Sequence, residues 1–102
     1  MLSLIRCTDN LNGLKMNKLQ ELMVITMEEC GELTQRCSKI IRKFDTVEEI
    51  TEDQRVKLVE EMGDVYCMLE LIIEHGITDW SELNERALYK VNKLKEWSKL
   101  IK

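Results

Sequence analysis

The chain has no proline, and only 4 of its 102 residues are glycine, so little in it punctuates the backbone. Aromatic residues make up 5% of it, and no alternating run rich in valine, isoleucine and threonine appears, which removes the usual signal for strands. The four cysteines, Cys7, Cys30, Cys37 and Cys67, contain no C-x-x-C pair, which argues against a zinc site. Cys30 and Cys37 lie two turns apart on one helix face, too far along the axis for a disulfide. They read as reduced thiols. No glycine-rich phosphate loop is present, so P-loop chemistry is excluded. No stretch is apolar enough to cross a bilayer, and the opening Met1–Arg6 is too short for a signal peptide. The expectation is a soluble cytoplasmic protein without a membrane partner.

What the chain does have is charge and helical periodicity. Hydrophobic residues make up 44% and charged residues 33%, a balance that suits amphipathic helices and opposes disorder. The length fits one domain, residues 1–102. The class predicted is all-α, a bundle of about four helices. A net charge of −4 argues against general nucleic-acid binding. The last segment is nevertheless basic, with Arg86, Lys90, Lys93, Lys95, Lys99 and Lys102. Helix-dipole matching explains that pattern, and so does a face for phosphates.

In chain order, residues 1–16 read as an arm or a short helix. Asn17, followed three residues later by Gln20, has the form of a capping box and starts a long helix to about Phe44. Leu19, Leu22, Met23, Thr26, Cys30, Leu33, Cys37, Ile40, Ile41 and Phe44 repeat at a helical period and form its expected buried stripe. A polar stretch from Asp45 to Asp53, with room for one helical turn, leads to a second long helix from about Glu52 to His75. Its expected stripe is Leu58, Val59, Met62, Val65, Tyr66, Leu69, Ile72 and Ile73. His75-Gly76 marks its end. A last helix is expected over about Glu82–Leu100, burying Leu83, Ala87, Val91, Leu94 and Ile101, with Trp80 and Trp97 packed at its ends.

Two acidic clusters carry the chemistry. Glu29 and Glu32 are three apart on the first helix, and Glu61 and Asp64 are three apart on the second, so each pair shares a face. Both pairs sit beside their stripe at the same angular offset. If the two helices pack antiparallel, the pairs face each other across a cleft. Carboxylates so gathered repel and raise one another's pKa, a conflict that a hard divalent cation such as Mg²⁺ relieves. Gly31 and Gly63, each inside a cluster, cost a helix about 1 kcal/mol relative to alanine. They suit a close approach by a ligand or a tight helix crossing. The plain alternative for all these acids is solvated helix surface.

Glu29-x-x-Glu32, a gap of 28 residues, and Glu61-x-x-Asp64 together resemble the signature of the MazG-like, all-α nucleoside triphosphate pyrophosphohydrolases. The stretch from Met27 to Arg42 is similar to the family's first motif helix, and Val59–Val65 to its second. Lys90-Val-Asn-Lys93 resembles its lysine/asparagine element, although Lys95 stands where the family usually has arginine. The resemblance spans about residues 17–97. It implies that Glu29, Glu32, Glu61 and Asp64 coordinate Mg²⁺ (or Mn²⁺) and act in catalysis. It also implies that Lys39, Lys90, Asn92 and Lys93 hold substrate phosphates, and that a nucleoside triphosphate is cleaved at its α–β linkage. Members of this size are completed by a partner chain, so a homodimer or a dimer of dimers is expected. The competing expectation is a non-enzymatic helical interaction module whose acids form a docking surface.

Overall fold

A computed structural model describes residues 15–101. Among them are three α-helices, α1 (Lys18–Lys43), α2 (Glu52–Glu74) and α3 (Trp80–Trp97), one 3₁₀ turn, Val47–Glu49, and no strand. The all-α class expected from the sequence is therefore observed. The arm or short helix assigned to residues 1–16 falls almost wholly outside the described residues, and with it the fourth helix of the expected bundle. No described helix is long and apolar enough to cross a membrane. The chain divides into two compact units, Met1–Leu71 and Ile72–Lys102.

The helix starts follow from local chemistry. The Asn17 side chain accepts from the Gln20 N–H at 2.8 Å, and the Gln20 side chain accepts from the Asn17 N–H at 3.0 Å. This reciprocal box satisfies two of the amide groups that a helix start otherwise leaves open. Within α1, the Thr26 and Thr34 hydroxyls donate to the carbonyls of Leu22 and Cys30, so neither leaves a polar group unmet. Between α1 and α2, the Asp45 N–H is taken by the Glu49 side chain at 3.2 Å, and the Thr51 hydroxyl accepts from the Gln54 N–H at 3.3 Å. Thr46 precedes the 3₁₀ turn without making a side-chain cap.

In the first unit, α1 and α2 run antiparallel. Arg36, late in α1, donates from Nη1 to the Gln54 Oε1, early in α2, at 3.3 Å. Two turns back along α1 stands Glu29, and it meets Glu61 and Asp64, two turns or more further along α2. The contacts therefore advance in opposite directions along the two helices. Only Leu22 and Met68 are buried among the described residues, and each keeps a few per cent of its surface exposed. Each contributes roughly 1.5–3 kcal/mol, which is small against about 1–2 kcal/mol lost per residue whose backbone is ordered.

The buried face of α1 matches the stripe that the sequence suggested only in part: Leu22 is buried and Thr26, Leu33, Ile40 and Phe44 are half-buried. Leu19, Met23 and Ile41 of that stripe are exposed, as are Val59, Met62 and Tyr66 of the α2 stripe, whereas Met68 lay outside it and is buried. Both helices carry apolar side chains on more than one face, and periodicity cannot choose between faces. On α1, all nine charged residues fall within about 140° of arc at about 100° per residue. The rest of the circumference is uncharged along its length, with Leu19, Met27 and Ile41 57%, 66% and 77% exposed. Cys30, Leu33, Thr34, Cys37, Ser38 and Ile41 line an open groove of about 550 Å³ there.

The second unit contains the end of α2 and all of α3. Gly76 adopts φ 80°; its N–H reaches the Ile73 carbonyl at 2.9 Å and the Ile77 N–H reaches the Ile72 carbonyl at 3.4 Å. That pair of bonds closes the helix in a left-handed turn that glycine adopts without strain. The Asp79 side chain accepts from the Glu82 N–H at 2.9 Å, so α3 starts at Trp80, two residues before the expected start. It stops at Trp97, where the Ser98 N–H bonds the Leu94 carbonyl at 2.7 Å. Leu83, Val91 and Leu94 are half-buried and Ala87 is exposed. Trp80 and Trp97, expected to pack at the helix ends, are 41% and 71% exposed.

Candidate metal centre

Three of the four candidate carboxylates converge. Glu29 on α1 and Glu61 and Asp64 on α2 each present an oxygen, and these oxygens lie within 4.8 Å of one another. The antiparallel pairing produces this: Glu61 and Asp64 occupy successive turns of one α2 face, and Glu29 faces them from α1. Glu29 and Glu61 are half-buried and Asp64 is exposed. Glu32, half-buried on α1 one turn beyond Glu29, is not in the group. At about 100° per residue it lies some 60° round the helix from Glu29, and that turn separates it from the α2 pair.

The electrostatics of the group are strained. The Glu29 carboxyl titrates above its ordinary value, first because burial penalises its charged form. The charge of Asp64 and a hydrogen bond shared with Asp64 push it up further, followed by the charges of Glu61 and Glu28. A proton on Glu29 can relieve the repulsion by bridging to Asp64. A small divalent cation can relieve it too, and an all-oxygen set of this kind suits Mg²⁺ or Mn²⁺ better than softer metals. The residues present therefore fit a hard cation. Exposed acids also gather on helices that bind none.

The remaining site residues of the sequence reading stand elsewhere. Lys39 is exposed on α1, about 80° round the axis from Glu29. Arg36 lies closer to the Glu29 face, about 20° away; its Nε is buried without a hydrogen-bond partner. Sequence reasoning missed Arg36, although its seven-residue offset from Glu29 was available as a signal. Lys90, Asn92 and Lys93 are exposed on α3 in the second unit. Lys90 and Lys93 share a face, about 60° apart, while Asn92 is turned about 160° from Lys90. The helix thus divides the lysine/asparagine element between two sides.

The two cluster glycines stand in open space: a Cβ built on Gly31 or Gly63 would meet nothing within 4 Å. Among the described residues, no helix crosses closely at either position. The uncharged groove on α1 is centred about 110° round the helix from Glu29 and is no part of the carboxylate group. Set against protein-family models, curated proteins and solved structures, the chain gives no match in any of the three comparisons.

Proposed function

We propose that the protein is a Mg²⁺-dependent nucleotide pyrophosphohydrolase, converting a nucleoside triphosphate and water to a nucleoside monophosphate and pyrophosphate. The observation that carries this reading is the meeting of Glu29, Glu61 and Asp64 across two antiparallel helices, with Glu29 strained in its charged form. The paired spacing in the sequence adds the resemblance to the MazG-like enzymes.

On this reading Glu29, Glu61 and Asp64 would hold the cation, with Glu32 as the fourth carboxylate of the motif and the one on which the assignment rests least. When bound, Mg²⁺ supplies charge neutralisation for the triphosphate and acidifies a coordinated water. The chain's own residues do the rest. A carboxylate of the group not taken up by the cation would accept the proton from the attacking water. The water oxygen forms its bond to the α-phosphorus as the bond to the bridging β-oxygen breaks. Lys39, Lys90 and Lys93 are assigned to phosphate oxygens, where a compact ammonium serves as a point charge. Asn92, on another side of α3, would donate to a different group than Lys90 does.

A second copy of the chain is part of the proposal. The uncharged, exposed face of α1 supports a homodimer or a dimer of dimers that completes a bundle of about four helices. The test is pyrophosphate release from a panel of NTPs and dNTPs, with Mg²⁺, with EDTA, and with Asp64→Asn. Release that needs metal and vanishes in Asp64→Asn supports the enzyme. No release with Mg²⁺ or Mn²⁺ from any nucleotide moves the assignment to an acidic interaction module.

A further inference from the structure

Arg36 puts a positive charge into the seam between α1 and α2. It is half-buried, as are Leu33 and Ile40 on α1 and Leu58 on α2, so an apolar side chain would suit its position. The guanidinium has a neutral partner instead: Nη1 donates to the Gln54 Oε1 at 3.3 Å. Its Nε is buried and has no hydrogen-bond partner among the described residues. A charge held in this way costs stability that an apolar group would not. Lys57, half-buried on α2 one turn before Glu61, is by contrast engaged by Asp53 at 3.2 Å.

The direction of the side chains gives Arg36 a second partner. A helical side chain leans towards the N-terminus of its own helix. Antiparallel packing therefore directs Arg36 along α1 towards the Glu29 turn, and Glu61 along α2 towards the Gln54 turn. Seven residues separate the two turns on each helix, or about 10.5 Å of axis. The two side chains approach across that gap from its opposite ends, and an extended arginine and glutamate together span it. Arg36 also stands about 20° round α1 from Glu29, on the flank where the carboxylates gather.

We propose that Arg36 is the internal counter-ion of the carboxylate group: it exchanges between Gln54 and Glu61 when no cation is bound, and a bound cation drives it back to Gln54. A charge-assisted bond to a carboxylate is stronger than one to a neutral amide, which gives the exchange its driving force. A cation entering the group must displace Arg36 from Glu61 and then meets its positive charge nearby. Arg36 thereby sets how tightly the group holds Mg²⁺ or Mn²⁺. It acts through Glu61, as a positioning residue. The inference rests on the proposed cation site and adds the residue that tunes it.

The experiment measures Mn²⁺ binding to the full chain by calorimetry and, separately, denaturant stability in EDTA. Arg36→Met removes the competing charge and should tighten Mn²⁺ binding roughly tenfold. Arg36→Gln, which keeps a polar group beside Gln54, should tighten it as well. Gln54→Leu removes the neutral partner, leaves Arg36 to Glu61 and should weaken binding several-fold. A purely structural role would weaken binding in all three variants, and that result overturns the proposal, as does unchanged affinity in both Arg36 variants. In EDTA, Arg36→Met and Glu61→Gln should be non-additive in their effect on stability. Additive effects overturn the exchange. If the wild type binds no Mn²⁺ at millimolar concentration, the cation site fails, and the cycle in EDTA still decides whether Arg36 pairs with Glu61.

Discussion

Glu29 on α1 and Asp64 on α2 bring carboxylate oxygens within 4.8 Å of each other across the antiparallel helices, although both are acids. Burial, and after it the charge of Asp64, raises the Glu29 carboxyl above its ordinary value. Either a proton or a cation would relieve the group.

The pH dependence of stability follows from that shift. Glu29 is raised in the folded chain, so between its unfolded and folded pKa the native state binds more protons than the unfolded state does. Its contribution to stability therefore falls as pH rises through that window, from the ordinary carboxylate range upward. Metal-free protein should lose melting temperature across this interval, and Glu29→Gln should flatten the slope and raise stability at neutral pH. A Glu29→Gln variant with an unchanged slope would place the strain elsewhere.

A cation that binds the group should stabilise the fold. By mass action the gain is about 2.7 kcal/mol at a hundred times the dissociation constant. Mg²⁺ or Mn²⁺ should raise the thermal midpoint of the wild type, and Glu61→Gln or Asp64→Asn should remove most of that rise. An equal rise in the variants would mean that the ion acts at another place.

Gly31 and Gly63 offer a test of what lies over the hairpin. Both have free space where a Cβ would go. Alanine at either position should stabilise the protein by roughly 0.5–1 kcal/mol through helix propensity and a less flexible unfolded chain. Denaturant midpoints measure this directly. Destabilisation at either position would reveal a second backbone packed against that glycine in solution.

Ile41, 77% exposed on the uncharged face of α1, should be covered in the proposed dimer. Ile41→Glu would bury a charge without a partner there and should shift the protein towards monomer in sedimentation. It should leave helix content unchanged. If the wild type is already monomeric at micromolar concentration, the dimer is excluded.

The caps are testable in the same way. Asn17→Ala removes one side of the capping box and should cost about 1 kcal/mol. Gly76→Ala places a Cβ at φ 80°, which should cost about 1–2 kcal/mol. Chemical denaturation reads both.

The sequence made α1 and α2 legible because their signals are local. Asn17 with Gln20, and His75 with Gly76, state where a helix starts or ends through bonds within a few residues. The start of α3 was less clear, since Thr78, Asp79 and Ser81 all offered an oxygen, and only backbone geometry selected Asp79. The carboxylate pairs were visible as pairs because three residues nearly complete a turn. Which of the four converge was not visible, because that depends on how each helix is rotated about its axis.

By itself, then, the sequence determined the all-α class, the ends of α1 and α2 to within about a residue, and the presence of paired acids on two helices. The tertiary structure alone decided that Glu29 meets Glu61 and Asp64 while Glu32 stands aside. It also decided that Met68 is buried while Leu19, Val59 and Met62 are exposed. The physical reason is the same in both cases. Hydrogen bonds along the chain fix a helix locally, but the face it presents is chosen by which side chains a neighbouring helix can cover. In a chain whose helices are apolar on more than one side, several choices satisfy the periodicity equally well.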